Sequence, residues 1–70
     1  MDAEERAALI GRLFAVMTSK LEDACSDAVD GQSKSTAEGE QIARAERIEY
    51  IARDIGLIAE AAAAVLRSAR

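Results

Sequence analysis

Histidine, proline and tryptophan are all missing from these 70 residues, and cysteine occurs once. Without histidine the usual zinc spacings cannot be built. A lone thiol, Cys25, excludes an intramolecular disulfide and fits a reducing, cytoplasmic setting. Aromatics are limited to Phe14 and Tyr50, and β-formers are sparse, which removes the ingredients of a sheet. Long apolar runs are missing too. The longest, Ile55 to Leu66, contains Glu60 and falls short of the ~20 residues that span a bilayer, so no membrane contact is expected. The acidic start, Met1-Asp2-Ala3-Glu4-Glu5, does not read as a signal or transit peptide.

What is present is alanine and amphipathic repeat. A chain of this length makes one domain, residues 1–70, and buries only about 60% of its unfolded surface, so a solitary core is marginal. With disulfide and zinc unavailable, oligomerisation is the remaining common source of stability. The net charge of −4 argues against a general polyanion binder. The excess is carried by residues 1–31.

The pattern predicts an all-α fold, an antiparallel two-helix hairpin that assembles into a bundle or ring. Asp2 followed by Glu5 outlines an N-terminal capping box. From there Ala3, Ala7, Ile10, Phe14, Met17, Leu21, Ala24 and Ala28 repeat in steps of 4 and 3, a coiled-coil seam that predicts a helix over about 3–29. Asp30-Gly31 reads as a stop, with Gly31 in a left-handed C-cap. Residues 30–36 are the turn, with Ser35 or Thr36 capping the next helix and Gly39 weakening its first turn. The second helix is predicted over about 37–68, with the seam Ile48, Ile51, Ile55, Ile58, Ala62, Val65 and Ala69. Toward the turn that seam meets Arg44 and Gln41 and becomes polar.

A short turn makes the helices antiparallel neighbours. Counting outward from it pairs Leu21 with Arg44 and Ala45, Met17 with Ile48, Phe14 with Ile51, Ile10 with Ile55 and Ala7 with Ile58. In that register the second helix outruns the first, leaving Ala63 to Ala69 uncovered, and Gly11 and Gly56 fall at similar heights. Each helix then carries surplus apolar residues: Leu9, Leu13 and Val16 on the first, and Ala45, Ala52, Ala59 and Leu66, with Leu57 and Tyr50 on another flank, on the second. A hairpin offers each helix only one internal face, and soluble monomers rarely leave patches of several hundred Å² in water. We therefore expect an oligomer interface built from Leu9, Leu13, Val16, Ala52, Leu57, Ala59 and Leu66. The principal partner expected is another copy of the chain; a different protein partner is a further possibility.

Charged groups give no catalytic signature. Glu22, Asp23, Asp27 and Asp30 crowd the end of the first helix, against its dipole. They read as a cation or docking patch, or more simply as a solvated acidic face partly neutralised by Lys34, Arg44 and Arg47. An EF-hand pattern is missing. Arg44, Arg47 and Arg53 interleave with Glu40, Glu46, Glu49 and Asp54, which suits i,i+4 pairing better than a phosphate-binding stripe. Cys25 reads as a partly buried, inert thiol among acidic neighbours. With no nucleophile–base set, phosphate loop or carboxylate pair in an apolar pocket, no enzyme, cofactor or metal is expected.

In layout, Arg12 to Ala24 (RLFAVMTSKLEDA), the polar break and Ala43 to Ile58 (ARAERIEYIARDIGLI) resemble the short helical hairpins encoded before the large terminase in phages and gene-transfer-agent clusters. Small terminase subunits use such a hairpin to build a ring while a separate segment handles DNA. The resemblance implies an oligomerisation subunit for DNA packaging. It does not extend to DNA contact, because no helix-turn-helix is identifiable. Two alternatives stand beside it: a nucleic-acid regulator resembling the Rop-type bundle, and an antitoxin-like inhibitor whose acidic first helix covers a basic partner. Phe14, spent on the seam, counts against the Rop-type reading.

Overall fold

A computed structural model describes residues 1–68; Ala69, read above as the end of the second seam, lies outside the described residues. Two helices form one antiparallel hairpin, α1 over Ala3–Gly31 and α2 over Glu38–Ser68. The rod measures 52 × 15 × 12 Å. Its radius of gyration is 16.1 Å, against roughly 11 Å for a compact domain of this length. Among the described residues no helix is long and apolar enough to cross a membrane.

Capping explains the start of α1. Asp2 Oδ1 accepts the Glu5 amide at 2.7 Å, and Glu4 and Glu5 place negative charge on the positive end of α1. That hydrogen bond holds the Asp2 carboxyl below its ordinary pKa. Glu38 and Glu40 place negative charge in the same way at the start of α2.

The turn departs from expectation. Gly31 is the last residue of α1 with no positive φ, and Gln32 closes the helix in right-handed geometry. The last carbonyls are satisfied partly by the Gln32 and Ser33 amides, which donate to Val29 and Asp30 at 3.1 and 3.4 Å, and partly from the far side of the turn. Thr36 Oγ1 donates to the Asp30 carbonyl at 2.9 Å, and Gln41 Nε2 to the Gly31 carbonyl at 2.9 Å. These bonds do the work of a left-handed cap, so no glycine is needed for it. Ser35 and Thr36 consequently do not cap α2. The Ser35 hydroxyl pairs with that of Ser33, and the first α2 bond runs from the Gln41 amide to the Ala37 carbonyl. Gly39 follows immediately, with open space where a Cβ would stand. Gly39→Ala should therefore stabilise the hairpin by about 0.5–1 kcal/mol, seen as a higher thermal midpoint. An unchanged or lower midpoint would show that this turn of α2 is not limiting.

The register is the larger correction. Arg44 was expected beside Leu21 and instead bonds Asp27 at 2.9 Å; Lys20 bonds Asp54 at 3.2 Å, not the neighbourhood of Ala45. The helices are displaced by about one heptad from the count outward from the turn. Met17 then stands level with Ile55, Leu13 with Ile58, Ile10 with Ala62 and Arg6 with Val65. The helices become almost coextensive, and the uncovered end of α2 disappears: Ala62 is the most buried residue described, Ala63 and Val65 are half-buried, and Met1 and Arg6 line a depression with Val65 and Ser68. Gly11 and Gly56 no longer share a height.

The rotation of α1 differs as well. The α2 seam is as expected, with Ile48, Ile51, Ile55, Ile58 and Val65 half-buried and Ala62 buried. On α1 the inward line runs Arg6, Ile10, Leu13, Met17, Lys20, Ala24, Asp27 and Gly31. It keeps the 4,3 repeat but replaces Phe14, Leu21 and Ala28 by their neighbours on the other side. Phe14 and Leu21 are each 55% exposed. The cause is polar: turning Lys20 and Asp27 inward lets them meet Asp54, Arg44 and Arg47.

Candidate interaction face and the ionic seam that orients it

The hairpin has two unlike sides, and their difference follows from that rotation. On one side the ion pairs leave the seam. Asp27 is buried at 6% exposure and accepts from Arg44 Nη1 at 2.9 Å and from Arg47 Nε at 2.7 Å, with a second bond from Arg47 Nη2. Asp30 and Glu40 hold the same Arg44 guanidinium at 3.3 and 2.8 Å. The Arg44 Nε is buried without a partner. The acidic end of α1, unfavourable against its own dipole, is thus compensated from α2. The expected pairs Glu40–Arg44 and Glu49–Arg53 form, at 2.8 and 2.7 Å.

Of the four acids read as one patch, Asp27 is an enclosed structural anchor, whereas Glu22, Asp23 and Asp30 are exposed. The Arg47 hydrogen bond, with the charges of Arg47 and Arg44, holds the Asp27 carboxyl below its ordinary pKa against the opposing effect of burial. A depressed folded-state pKa contributes stability that is present above the unfolded value of about 3.9 and lost as pH falls through the folded one. Thermal midpoints measured from pH 7 to 2 should show that loss, and Asp27→Asn should lower the midpoint at pH 7 and flatten the acid limb. An acid limb left unchanged by Asp27→Asn would show that the carboxylate contributes nothing.

On the other side the residues that flank the seam are uncharged. Ala7, Phe14, Leu21 and Ala28 of α1 flank it, and Ala45, Ala52, Ala59 and Leu66 flank it from α2; all are exposed, Leu66 at 45%. Ala28 and Ala45 line one open depression of about 260 Å³, which places the two flanks on the same side. These flanking residues are uncharged and make a strip along the rod, which Asp27 and Arg44 edge at the turn end, where they line the same depression. Glu49, farther out on α2, is drawn to Arg53.

The expected interface residues therefore divide. Ala52, Ala59 and Leu66 lie on the uncharged strip. Leu9 and Leu13 are half-buried at the intrachain seam and not on a free flank. Val16 is 44% exposed and Leu57 65% exposed, on the ion-pair side, where Tyr50 is 66% exposed. Sequence reasoning missed Phe14 and Leu21 as surface residues. The signal that finds them is ionic: matching Lys20 with Asp54 and Asp27 with Arg47 across the hairpin turns both outward. Cys25, expected partly buried, is exposed. Among the described residues no group of three or more metal-ligating side chains gathers. Comparisons with protein-family models, curated proteins and solved structures found no match to this chain.

Proposed function

We propose that this protein is a non-enzymatic, self-associating helical interaction module whose hairpin is one part of a larger bundle. One observation carries the reading. Met17 and Ala62 are the only buried apolar residues among those described, while Phe14 and Leu21 stand half in water on an uncharged strip. Its surface of 5188 Å² exceeds by roughly 1,000 Å² what a compact monomer of this mass exposes. That excess is comparable to the ~800 Å² per partner of a standard stable interface. Burying Phe14, Leu21 and Leu66 would contribute about 1.5–3 kcal/mol each before ordering costs.

A second reading, the ring-forming packaging subunit implied by the small-terminase layout, is favoured by the apolar residues Val16, Tyr50 and Leu57 on the opposite side. A ring needs two contact faces on each copy, and a simple pair needs one. Light scattering across a dilution series tests both. Association with a mass near twice 7.5 kDa supports the module as a pair, and a larger closed assembly supports the ring. A monomer of 7.5 kDa that unfolds cooperatively overturns self-association altogether.

A further inference from the structure

We infer that the occupant of the uncharged strip is a second copy of the chain laid face to face with its turn at the opposite end of the rod. The inference rests on the self-association proposed above and adds its orientation. Two arrangements bring two such strips together about a two-fold axis. With the axis along the helices, both turns lie at one end and α1 covers the other copy's α2. With the axis across the helices, the turns lie at opposite ends, α1 covers the other copy's α1 and α2 its α2.

Charge distinguishes them. Residues 20–50, the turn half of the rod, carry eight acids and four bases; residues 1–19 and 51–70 carry five of each. The whole net charge of −4 therefore sits on the turn half. Turns at one end would stack two such halves within about a helix spacing, near the ~8–10 Å Debye length at physiological salt. Turns at opposite ends place each charged half against a neutral one.

The strip also has a centre. Phe14 and Leu21 lie symmetrically about the middle of α1, with Ala7 and Ala28 beyond them, and Ala52 and Ala59 straddle the level of that point on α2. A two-fold axis there sets Phe14 of one copy beside Leu21 of the other, and brings the α2 helices together through alanines, which allow close approach. The glutamates and aspartates of the ion-pair side face away from the contact in both copies.

Spin labels read the orientation directly. In a Cys25→Ser, Ser35→Cys chain, each copy carries one label at the exposed turn of a rod 52 Å long. Opposed turns give an inter-label distance of about 40–55 Å, close to the length of the rod. Turns at the same end give less than about 25 Å, set by the width of a four-helix bundle. The long distance in an associated sample supports the inference. A dominant short distance in an associated sample overturns the orientation and leaves self-association standing. No inter-label distance, with a monomeric mass in the same sample, overturns both. A second chain labelled at Gln32→Cys guards against a local effect of the Ser35 change.

Discussion

Phe14→Glu is expected to weaken self-association by roughly 10²- to 10⁴-fold while leaving the helices of the hairpin in place. The magnitude follows from symmetry. A contact between two copies loses both phenylalanines at once, each contributing about 1.5–3 kcal/mol when buried, and every 1.4 kcal/mol is a factor of ten. The substitution is clean because Phe14 is 55% exposed in the hairpin, so a glutamate there meets water in the monomer and an apolar surface only in the assembly. Leu21→Glu should behave in the same way. Leu57→Glu, on the ion-pair side, should change the association of a simple pair by less than about threefold, as exposed surface substitutions do. Leu13→Glu is the poorer test, because Leu13 is half-buried between the helices and its replacement damages the hairpin itself. Sedimentation or scattering over a dilution series, with far-ultraviolet circular dichroism at each concentration, separates the two effects. Association unchanged in both Phe14→Glu and Leu21→Glu would exclude the uncharged strip as the contact. A large loss in Leu57→Glu alone would move it to the opposite side.

That distinction between Phe14 and Leu13 could not be read from apolar periodicity. The 4,3 repeat, the turn at 30–36 and the cap at Asp2 were legible, and they yield two helices with ends within two residues of those observed. The isoleucine seam of α2 was legible for the same reason: it is the line richest in large apolar residues, whereas on the other lines Ile42, Tyr50, Leu57 and Leu66 stand scattered among alanine and charge. Helix α1 offers two apolar lines one residue apart, Ile10-Phe14-Met17-Leu21 and Ile10-Leu13-Met17, and both keep the repeat. The line with more large apolar residues is the natural choice on hydrophobicity alone. It loses here because the other line, continued, brings Lys20 and Asp27 to the seam, where their partners stand. The surplus of apolar surface was therefore legible as a quantity, whereas its location was not. The turn hid a similar trade: Thr36 and Gln41 reach back to the carbonyls of Asp30 and Gly31, and nothing in the local pattern of Asp30-Gly31 signals donors arriving from α2.

The same ionic contacts fix the register, and their removal is the second change with a large expected effect. Slipping the helices by one heptad keeps isoleucines of α2 against α1 but uncovers Ala62, Ala63 and Val65 at its end, so burial already favours the observed register. Charges distinguish them sharply. In the register counted from the turn, Asp27 stands level with Glu38, Lys20 with Ala45 and Asp54 with Gly11, so the pairs are lost and two carboxylates are brought together. In the observed register, Asp27 meets Arg44 and Arg47, and Lys20 meets Asp54. Asp27→Arg should therefore lower the thermal midpoint by roughly ten degrees or more, since it sets a third guanidinium against two others in an enclosed site. The reversed pair Asp27→Arg with Arg47→Asp should recover part of the loss and not all, because Arg44 remains against residue 27. Lys20→Ala should cost less, its contact with Asp54 being about one-third exposed at each end. Glu49→Ala should cost least, because the Glu49–Arg53 pair lies in water on one helix, where such pairs contribute a few tenths of a kcal/mol. That ordering separates a register lock from general charge loss, because Lys20→Ala and Glu49→Ala each remove one ion pair but only the first removes a pair between helices. Recovery in the reversed pair is the decisive term of the cycle. If Asp27→Arg with Arg47→Asp were as unstable as the sum of its single changes, the Asp27–Arg47 contact would not be what holds α1 and α2 in step.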